Sequence, residues 1–335
     1  MSSSEFQIIT SDCIVIGAGI TGLTLATILQ RQGINVTVLN KEPNVGGRMA
    51  TCRIAQNESI EGVFDYGTQY FTAKSPQFKA WVNEWLKNQV VKEWSKGFDG
   101  VDSIPHYCGI NGMNGIADYL VRELDVRNST EVTEISYEKK WLVETKKQQY
   151  QGDMLVITSP IPQSLLLLDA SFLPLPLEVR FSLEQIEYDS CITVLALLEK
   201  PSNIPTPGGM KLQDDSLAWL GDNHQKGISP NAYAVTINAT AKFSDYYWDS
   251  DDAEIAYKLL TAAADYLASP VIKYQVHRWR YRFPKTFYSE SSYLALFELP
   301  MVMAGDAFTE PTVEGAALSA IAAGELISQR FNVNN

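Results

Sequence analysis

Apolar and polar residues follow a strand–helix–strand pattern at the start of the chain. Residues 13–16 (CIVI) form a short apolar run with β-branched side chains, which predicts a buried parallel strand. Residues 24–33 (TLATILQRQG) place apolar side chains at helical spacing and end at a glycine. Residues 34–40 (INVTVLN) predict a second strand, so the pattern predicts one βαβ unit at the N-terminus.

A second periodic segment predicts a long helix. Residues 76–94 (PQFKAWVNEWLKNQVVKEW) have the apolar spacing of an amphipathic helix. The predicted apolar face of this helix consists of Phe78, Trp81, Trp85 and Leu86.

The remaining segments predict a mixture of sheets and helices. Residues 112–124 predict a helix, and residues 125–160 predict several strands, of which the last (DMLVITSP) resembles a buried strand of the first sheet. Residues 165–275 mix apolar strands with Pro- and Gly-rich loops and one helix (DDAEIAYKLLTAAADYLA), which predicts a second domain on an antiparallel sheet. Residues 299–331 return to a buried strand, a loop and a long helix of small residues.

Composition and charge narrow the class of protein. The chain has 335 residues, of which 45% are hydrophobic and 20% charged, as in a globular enzyme long enough for two domains. Its formal net charge of −12 repels phosphate backbones, which argues against a nucleic-acid role. The start of the chain lacks the features of a secretory signal, and no apolar run reaches the roughly 20 residues of a membrane helix.

The cysteines and histidines predict neither disulfides nor a metal site. The four cysteines are far apart and form no C-x-x-C pair, which favours free thiols and a reducing cytoplasm. The three histidines show no metal-ligand spacing, so no metal is expected.

The turn after the first strand carries a dinucleotide fingerprint. It reads G-A-G-I-T-G and lies between a predicted strand and a predicted helix, the context that this motif requires. The first glycine permits the tight turn, the second allows the backbone to approach a pyrophosphate, and the third lets the helix pack on the strand. The N–H groups and the dipole at the helix start favour the phosphates. The predicted contacts are Gly17, Ala18, Gly19, Ile20, Thr21 and Gly22.

Two further segments favour FAD over NAD as the nucleotide. The G-G-R-M segment at 46–49, followed by FDYGTQYFT, resembles FAD proteins of the glutathione-reductase structural type. The C-terminal MAGDAFTEPTVEGAALS strengthens the resemblance, which implies that Asp306 contacts the ribityl–pyrophosphate region. The same resemblance implies that the helix beginning near Val313 directs its positive dipole at the flavin, which stabilises the anionic reduced form. The further predicted cofactor contacts are Asn40, Lys41, Gly47, Arg48, Met49, Val132, Gly305, Asp306, Glu314, Gly315 and Ala316.

These features predict an α/β fold with two domains. A Rossmann-type FAD-binding domain is expected to carry an inserted α+β substrate domain on an antiparallel sheet. The predicted FAD-binding domain is discontinuous, comprising residues 1–75, 105–163 and 277–335. The predicted substrate domain comprises residues 76–104 and 164–276.

The closer resemblance is to renalase and its bacterial relatives, near the monoamine oxidases. It rests on GGRMAT, FDYGTQYFT, GINGMNGIADYL and HRWRYRFP, together with the C-terminal segment, and these span nearly the whole chain. The resemblance implies non-covalent FAD, oxidation of the 2- and 6-dihydro isomers of NAD(P)H, and electron transfer to O2 to give H2O2. No cysteine follows Cys191, which excludes the C-terminal thioether linkage to flavin of the monoamine oxidases.

Asn40 departs from the usual pattern at the end of the second strand, where the family has an acid. A carboxylate accepts hydrogen bonds from both ribose hydroxyls, whereas an amide accepts through oxygen and donates through its NH2 group. The expected loss is about 1 kcal/mol of binding free energy, which leaves the site functional. We expect Asn40 to contact the ribose, with Glu42 as the alternative partner.

Hydride transfer to a flavin depends on position and orientation more than on an ionisable base. In VHRWRYRF, strand alternation places alternate aromatic residues on one face and Arg278 with Arg280 on the other. One face of this strand is expected to line the flavin pocket. The alternative is a packed aromatic face with paired arginines. Trp219 is a weaker candidate for a residue that lines the pocket. The predicted catalytic residues are Thr68, Gln69, Tyr70, His277, Trp279 and Tyr281.

Three hypotheses for the function follow. The first is a renalase-like FAD oxidase, a cytoplasmic monomer that binds a dihydronicotinamide dinucleotide and O2. Since one fingerprint is visible, a second NAD-binding Rossmann domain is not expected, and the dinucleotide would bind as substrate. The second is an amine oxidase or desaturase of the same superfamily, and the third is a flavin-binding redox sensor without turnover.

Overall fold

The structure is a computed structural model that describes residues 8–55, 57, 60–98, 104–288, 293–296 and 299–334. The chain forms two units, each with its own internal packing. The first unit contains Met1–Gly47, Ala117–Glu187 and Pro284–Asn335. The second unit contains Arg48–Ile116 and Tyr188–Phe283.

The α-helices vary from single turns to a long C-terminal helix. In chain order they are α1 (Ile20–Arg31), α2 (Pro76–Lys87), α3 (Asn114–Leu120), α4 (Ile161–Ala170), α5 (Leu177–Glu184), α6 (Ala241–Tyr246), α7 (Asp252–Ala262), α8 (Ala264–Leu267) and α9 (Val313–Asn334). Short 3-10 turns lie at Gly47–Met49, Val121–Glu123 and Asp306–Phe308. Among the described residues, none of the helices is long and apolar enough to cross a membrane.

The strands form two larger sheets and two hairpin-like pairs. They are β1 (Ile8–Ile16), β2 (Val36–Leu39), β3 (Thr51–Ala55), β4 (Glu61–Asp65), β5 (Val91–Ser95), β6 (His106–Gly109), β7 (Asp125–Arg127), β8 (Val132–Tyr137), β9 (Trp141–Thr145), β10 (Gln149–Ile157), β11 (Tyr188–Leu198), β12 (Gly209–Lys211), β13 (Leu217–Asp222), β14 (Tyr233–Ala239), β15 (Val271–Pro284), β16 (Tyr293–Leu296) and β17 (Met301–Ala304).

The first unit is built on a mostly parallel sheet with the strand order β16-β17-β10-β1-β2-β7. The neighbours from β17 to β7 run parallel, whereas β16 is antiparallel to β17 and β9 joins β8 to β10 by antiparallel pairing. The central strands are buried apolar runs, as expected for a sheet covered on both faces. The predicted Rossmann-type α/β fold is therefore confirmed.

Two helices of the first unit meet at their N-terminal turns. The hydroxyl of Thr21, in the first turn of α1, donates to the carbonyl oxygen of Ala316 in the first turn of α9, at 3.3 Å. Farther along, a Cβ on Gly324 would lie 3.1 Å from the Ile28 side chain, so small residues on α9 allow close packing. The positive ends of two helix dipoles consequently lie side by side.

The second unit is built on a five-stranded sheet with the order β12-β13-β14-β11-β15. Alternate residues of β11 belong to different cores: Val194 packs with α6 and α7, whereas Leu195 packs against the β3–β4 pair. The sheet thus buries both faces, because period-two side chains alternate between them. The predicted antiparallel sheet is present in this region.

The structure corrects the predicted helix at 76–94. Helix α2 ends at Lys87, Gln89 has a left-handed φ of +54°, and residues 91–95 form strand β5, which pairs with β6. Pairing with a distant strand thus overrides the local helical periodicity. The buried face is also different from the predicted one and consists of Phe78, Val82 and Trp85.

The region between 165 and 275 contains more helix than the single predicted one. Helices α5 and α6 occur in addition to α7 and α8.

The two units also divide the chain differently from the predicted domains. Residues 48–75, 105–116 and 277–283 belong to the second unit, because β15 joins the β11 sheet and the β3–β4 pair packs on that sheet. The functional domain boundaries stay a prediction.

Candidate functional site

The glycine turn of the first unit has the shape that a bound pyrophosphate requires. Gly17 has φ of +109°, and a Cβ on Gly22 would lie 2.0 Å from the carbonyl oxygen of Gly17. A Cβ on Gly19 would meet no described atom within 4 Å, so this glycine faces open space. Two glycines therefore shape the turn, while Gly19 leaves its outer side accessible to a ligand.

The start of α1 has no side-chain cap among the residues that the structure describes. Gly19 is the N-cap of α1 without a side-chain hydrogen bond, and the first turn of the helix contains no acidic residue. The loop at 46–47 lies alongside, because Gly46 N donates to Ala18 O at 2.8 Å and a Cβ on Gly47 would lie 3.5 Å from Gly19 Cα. The N–H groups and positive dipole of the first helical turn are available to an anion.

The amide of Asn40 is held in one orientation by three acceptors. Its Nδ2 donates to the carbonyl oxygens of Glu42 at 2.9 Å and Asn44 at 3.0 Å, and to Oδ1 of Asn128 at 2.9 Å. These acceptors require the NH2 group on their side, so the amide oxygen remains as the acceptor for a ligand. A carboxylate at this position would face three acceptors. Asn40 thus fits its surroundings better than the expected acid.

Lys41 and Val132 lie at the margins of this region. Lys41 forms an exposed ion pair with Glu131 at 3.1 Å, and this hydrogen bond holds the pKa of the Glu131 carboxyl below its usual value. Val132 is half-buried at the start of β8. The Lys41 ammonium is paired with Glu131 in this structure. The predicted cofactor roles of Lys41 and Val132 stay predictions.

The start of α9 forms the other side of the candidate cofactor site. Gly305 has φ of +153° and its N–H donates to Ser319 Oγ at 2.9 Å, which fixes the turn before the buried Asp306. A Cβ on Gly315 would lie 2.3 Å from the Glu310 carbonyl oxygen, so this close approach requires glycine. Glu314 is also buried.

The residues of the first unit fit a dinucleotide-type cofactor. The start of α9 lies beside the start of α1. The N-terminus of α1, the open side of Gly19 and the oriented amide oxygen of Asn40 match the phosphates and a ribose. These are the groups that would hold the nucleotide half of FAD.

In the second unit, Arg48 anchors a loop that carries predicted catalytic residues. Arg48 Nη1 donates to the Arg282 carbonyl oxygen at 3.0 Å, and the Arg48 carbonyl oxygen accepts from Thr68 N at 2.8 Å. A Cβ on Gly67 would lie 2.0 Å from that same carbonyl oxygen. The adjacent Met49 is 2% exposed. Residues 66–70 therefore form a tightly held loop.

A buried ion pair supports this loop. Lys226 Nζ lies 2.5 Å from Asp65 Oδ2 and donates to the Gln69 carbonyl oxygen at 2.5 Å. The Lys226 and Asp65 side chains are 1% and 0% exposed. The other Asp65 oxygen accepts from Thr51 Oγ1 at 2.6 Å and Met113 N at 2.7 Å. Both charges are thus paired and hydrogen-bonded, as burial demands.

Five rings form an aromatic cluster next to Lys226, with neighbouring centroids 4.7–6.4 Å apart. Its members are Tyr70, Trp94, Phe98, His106 and Trp219. Lys226 Nζ lies 4.8 Å from the centroid of the Trp94 ring, within the range of a cation–π interaction. The cluster therefore already contains a cation from the chain itself.

Strand β15 brings two predicted catalytic residues together with a residue that sequence reasoning missed. Tyr66 packs against His277 at 4.5 Å and Trp279 at 5.1 Å between ring centroids, and Trp279 Nε1 donates to the Tyr66 carbonyl oxygen at 2.9 Å. Burial lowers the pKa of His277, which favours the neutral imidazole. Tyr281 instead packs on Tyr188 at 5.5 Å.

The arginines of β15 are engaged within the second unit. Arg278 forms an ion pair with Asp252 at 2.7 Å and donates to the carbonyl oxygens of Trp248 and Ser250. The Arg280 guanidinium lies 4.6 Å from the centroid of the Trp248 ring. These contacts favour the alternative in which the arginines of this strand are paired within the protein.

Among the predicted catalytic residues, Tyr70 is a member of the aromatic cluster and Gln69 precedes it with its carbonyl oxygen on Lys226. His277 and Trp279 pack against Tyr66. Tyr281 joins neither group, and Thr68 is half-buried with its N–H on Arg48. A charged residue at the end of the apolar strand EGVFD was the available signal for Asp65. Nothing near Lys226 in the sequence indicates its partner, and the catalytic roles stay predictions.

Most of the chain matches one protein family. Residues 92–328 match the family described as flavin containing amine oxidoreductase, which is well over half of the chain. Residues 15–85 match the NAD(P)-binding Rossmann-like domain family. These matches confirm the predicted class of FAD-dependent oxidoreductase.

Curated relatives match over short segments. The chain is 48% identical over 59 residues to amine oxidase [flavin-containing] A of Sus scrofa, and this alignment covers 18% of the chain and 10% of that protein. It is 62% identical over 48 residues to lysine-specific histone demethylase 1 homolog 3 of Arabidopsis thaliana, covering 14% of the chain and 3% of that protein. The chain thus aligns with only a tenth or less of each relative's length.

Solved structures share the fold over nearly the whole chain. A putative protoporphyrinogen oxidase from Exiguobacterium sp. 255-15 matches with a TM-score of 0.74 at 13% identity, covering 97% of this chain and 100% of that one. A single-residue variant of putrescine oxidase matches with a TM-score of 0.75 at 14% identity and the same coverage. At these identities the likeness concerns the fold alone.

Proposed function

The chain belongs to the flavin-containing amine oxidoreductase family, and from this premise we propose that it is a renalase-like FAD oxidase of dihydronicotinamides. The proposed substrates are the 2- and 6-dihydro isomers of NAD(P)H. One dihydronicotinamide, one proton and one O2 give one oxidised nicotinamide and one H2O2. When bound, FAD supplies a hydride acceptor at N5 and the path of the electrons to O2.

The observation that carries the choice of substrate is the position of Lys226 in the aromatic cluster. Recognition of an ammonium substrate typically uses the face of an aromatic ring. Here Lys226 Nζ lies 4.8 Å from the Trp94 ring centroid and is paired with Asp65. Because the Lys226 ammonium already lies over the Trp94 ring, that ring face is not available to the ammonium group of an amine substrate, whereas a planar neutral ring does not need it. The cluster therefore favours a dihydronicotinamide.

Other residues of the chain contribute position rather than acid–base catalysis. In hydride transfer the hydrogen leaves carbon together with its electron pair, so no separate removal of a proton from carbon is needed. The rate of the transfer depends on the orientation of donor and acceptor. The Asp65–Lys226 pair fixes the backbone of Gln69, and Tyr66 packs against His277 and Trp279. These interactions would keep the residues around the substrate rigid. The neutral form of His277, favoured by its lowered pKa, adds no charge.

Anaerobic mixing of the yellow holoenzyme with three reductants tests the proposal. The reductants are 6-dihydroNAD, β-NADH and a simple amine, and loss of flavin absorbance is followed with time. We expect rapid bleaching by 6-dihydroNAD alone, and one equivalent of H2O2 per equivalent of substrate after oxygen is admitted. Bleaching by the amine alone would overturn the proposal, and no bleaching by any of them would favour a redox sensor.

Amine oxidation is the second candidate function. Family membership favours it, and so does the named activity of the amine oxidase relative. The same experiment separates the candidates, because the amine and the dihydronicotinamide are compared on one protein preparation.

We further propose that the enzyme acts as a cytoplasmic monomer with non-covalent FAD. All four cysteines are free, and burial raises the pKa of each thiol, which keeps the thiols protonated and unreactive. After acid precipitation we expect the flavin in the supernatant. Flavin retained in the protein pellet would contradict non-covalent binding.

A further inference from the structure

Two buried polar atoms of the second unit converge on one glycine without hydrogen-bond partners. They are Oε1 of Gln69 and Nε1 of Trp219, which have no partner among the described residues. Gln69 is 7% exposed and Trp219 is 5% exposed. A Cβ on Gly221 would lie 2.9 Å from each of the two atoms, so both are directed at the same small region.

The orientation of the Gln69 amide is determined by its other end. Nε2 donates to the carbonyl oxygen of Asp65 at 2.7 Å and to that of Gly67 at 3.2 Å. Reversing the amide would place its oxygen against two carbonyl oxygens. Oε1 is therefore an obligate acceptor, and the indole Nε1 of Trp219 can only donate.

The sheet beneath Trp219 is shaped to hold the indole in this position. Gly221 on β13 pairs with Gly209 on β12. A Cβ on Gly209 would lie 2.8 Å from Trp219 Cη2, and a Cβ on Gly221 would lie 2.9 Å from Nε1. Both ends of the ring thus lie over glycines that leave no room for a side chain. The Asp65–Lys226 pair similarly restrains Gln69 at its backbone.

We propose that Gln69 and Trp219 recognise the carboxamide group of the substrate. A primary carboxamide carries one acceptor and two donor hydrogens on adjacent atoms. Its oxygen can accept from Trp219 Nε1 while its NH2 group donates to Gln69 Oε1. Burial of an unpaired donor and an unpaired acceptor is unfavourable, so a ligand that satisfies both gains affinity.

Access to the pair requires a side chain to move, because both atoms are shielded from solvent. Tyr70 is the neighbouring side chain whose ring packs against Trp219. It follows Gln69 in the chain, is half-buried, and its ring centroid lies 5.6 Å from that of Trp219.

The inference rests on the proposed function and deepens it, because a nicotinamide ring carries such a carboxamide. The test uses binding rather than turnover. Oxidised NAD and its 3-acetylpyridine analogue, which keeps the carbonyl but lacks the NH2 group, are titrated into the holoenzyme by calorimetry. We expect the wild-type protein to bind NAD about tenfold more tightly than the analogue.

Two variants assign the atoms. Gln69→Met should reduce the tenfold preference to about onefold, because the acceptor for the NH2 group is lost. Trp219→Phe should weaken both ligands by a similar factor and keep the preference, because both ligands retain the carbonyl. The matched controls are Gln225→Met, which also removes an amide bonded to a backbone carbonyl, and Trp248→Phe, a half-buried tryptophan elsewhere in the second unit. Both controls should retain the wild-type affinities and preference.

The outcomes separate this inference from the proposed function. Equal affinities of the wild-type protein for the two ligands overturn carboxamide recognition even if 6-dihydroNAD bleaches the flavin. A preference that persists in Gln69→Met overturns the assignment to Gln69. Bleaching by an amine alone overturns the proposed function, and no binding of either dinucleotide overturns the inference as well. If Gln69→Met does not fold, the affinities of the wild-type protein and of Trp219→Phe for the two ligands still decide whether the carboxamide is recognised.

Discussion

The glycine turn of the first unit and the buried ion pair of the second create binding groups in opposite ways. The turn uses backbone N–H groups within six consecutive residues, and its requirement is the absence of Cβ atoms at Gly17 and Gly22. The ion pair joins side chains 161 positions apart, and each charge depends on the other for its burial. A backbone site therefore tolerates many side-chain changes, whereas a side-chain site fails when one partner is removed.

The largest expected effect comes from breaking the ion pair. Lys226→Met leaves the Asp65 carboxylate buried without its cation, and we expect the free energy of unfolding to fall by about 3–5 kcal/mol. Urea denaturation measures this change. The double variant with Lys226→Met and Asp65→Asn should recover much of the lost free energy of unfolding. The amide oxygen of its Asn side chain can still accept from the Thr51 hydroxyl and the Met113 N–H.

The exposed pair Lys242–Asp215 provides the matched control. Its side chains are 82% and 90% exposed. Lys242→Met should change the free energy of unfolding by no more than about 0.5 kcal/mol. A similar loss in both lysine variants would show that burial is not the cause, and the contrast between the two sites would fail.

Two glycine variants sharpen the comparison on the side of the turn. Gly22→Ala places a methyl group 2.0 Å from the Gly17 carbonyl oxygen and should destabilise even the FAD-free protein by about 1–3 kcal/mol. Gly19→Ala meets no described atom within 4 Å and should leave that protein within about 0.5 kcal/mol of wild type. Thermal unfolding without FAD measures the difference.

Gly19→Ala should nevertheless weaken FAD binding about tenfold or more, because its methyl group projects to the side where the pyrophosphate approaches. Titration of FAD into the apoprotein measures this affinity. Unchanged affinity in Gly19→Ala would contradict the assignment of that open side to the cofactor.

Asn40→Asp tests whether the backbone around the ribose site selects an amide. The carboxylate would lose three hydrogen bonds and face the carbonyl oxygens of Glu42 and Asn44. We therefore expect FAD binding or the free energy of unfolding to decrease by about 1–3 kcal/mol, although acids are usual at this position. Tighter FAD binding by Asn40→Asp would show that this orientation of the amide is not the one used. Unchanged FAD affinity in Asn40→Ala would exclude the ribose contact.

The smallest expected effect is a pH dependence from His277. Burial lowers its pKa in the folded protein below the usual value of 6.5. The unfolded chain then takes up the proton at higher pH than the folded one, so its contribution to stability is present above about pH 6.5 and is lost as the pH falls toward the lowered pKa. His277→Phe should lose less stability than wild type between pH 7.5 and about 5.5 in urea denaturation. Parallel pH profiles of the two proteins would contradict this effect.

The N-terminal strand, glycine turn and helix were predictable because their information is local. A strand, a glycine turn and a helix occur within a few residues of each other, and the motif describes backbone geometry directly. The substitution at Asn40 was visible, but its reason was not, since Asn128 lies 88 positions away. Helix α2 was predicted too long because the pairing of β5 with β6 competes with the helical periodicity of residues 91–95.

The sequence by itself determined the α/β class, the glycine turn after β1 and the likeness of the C-terminal segment to an FAD protein. These follow from short-range periodicity and from residues whose lack of a side chain is itself the signal. Only the tertiary structure decided that Asp65 meets Lys226, that Tyr66 lies against His277 and Trp279, and that Gln69 and Trp219 converge on Gly221. Such side-chain sites depend on which distant strands become neighbours, and that is set by packing of the whole unit.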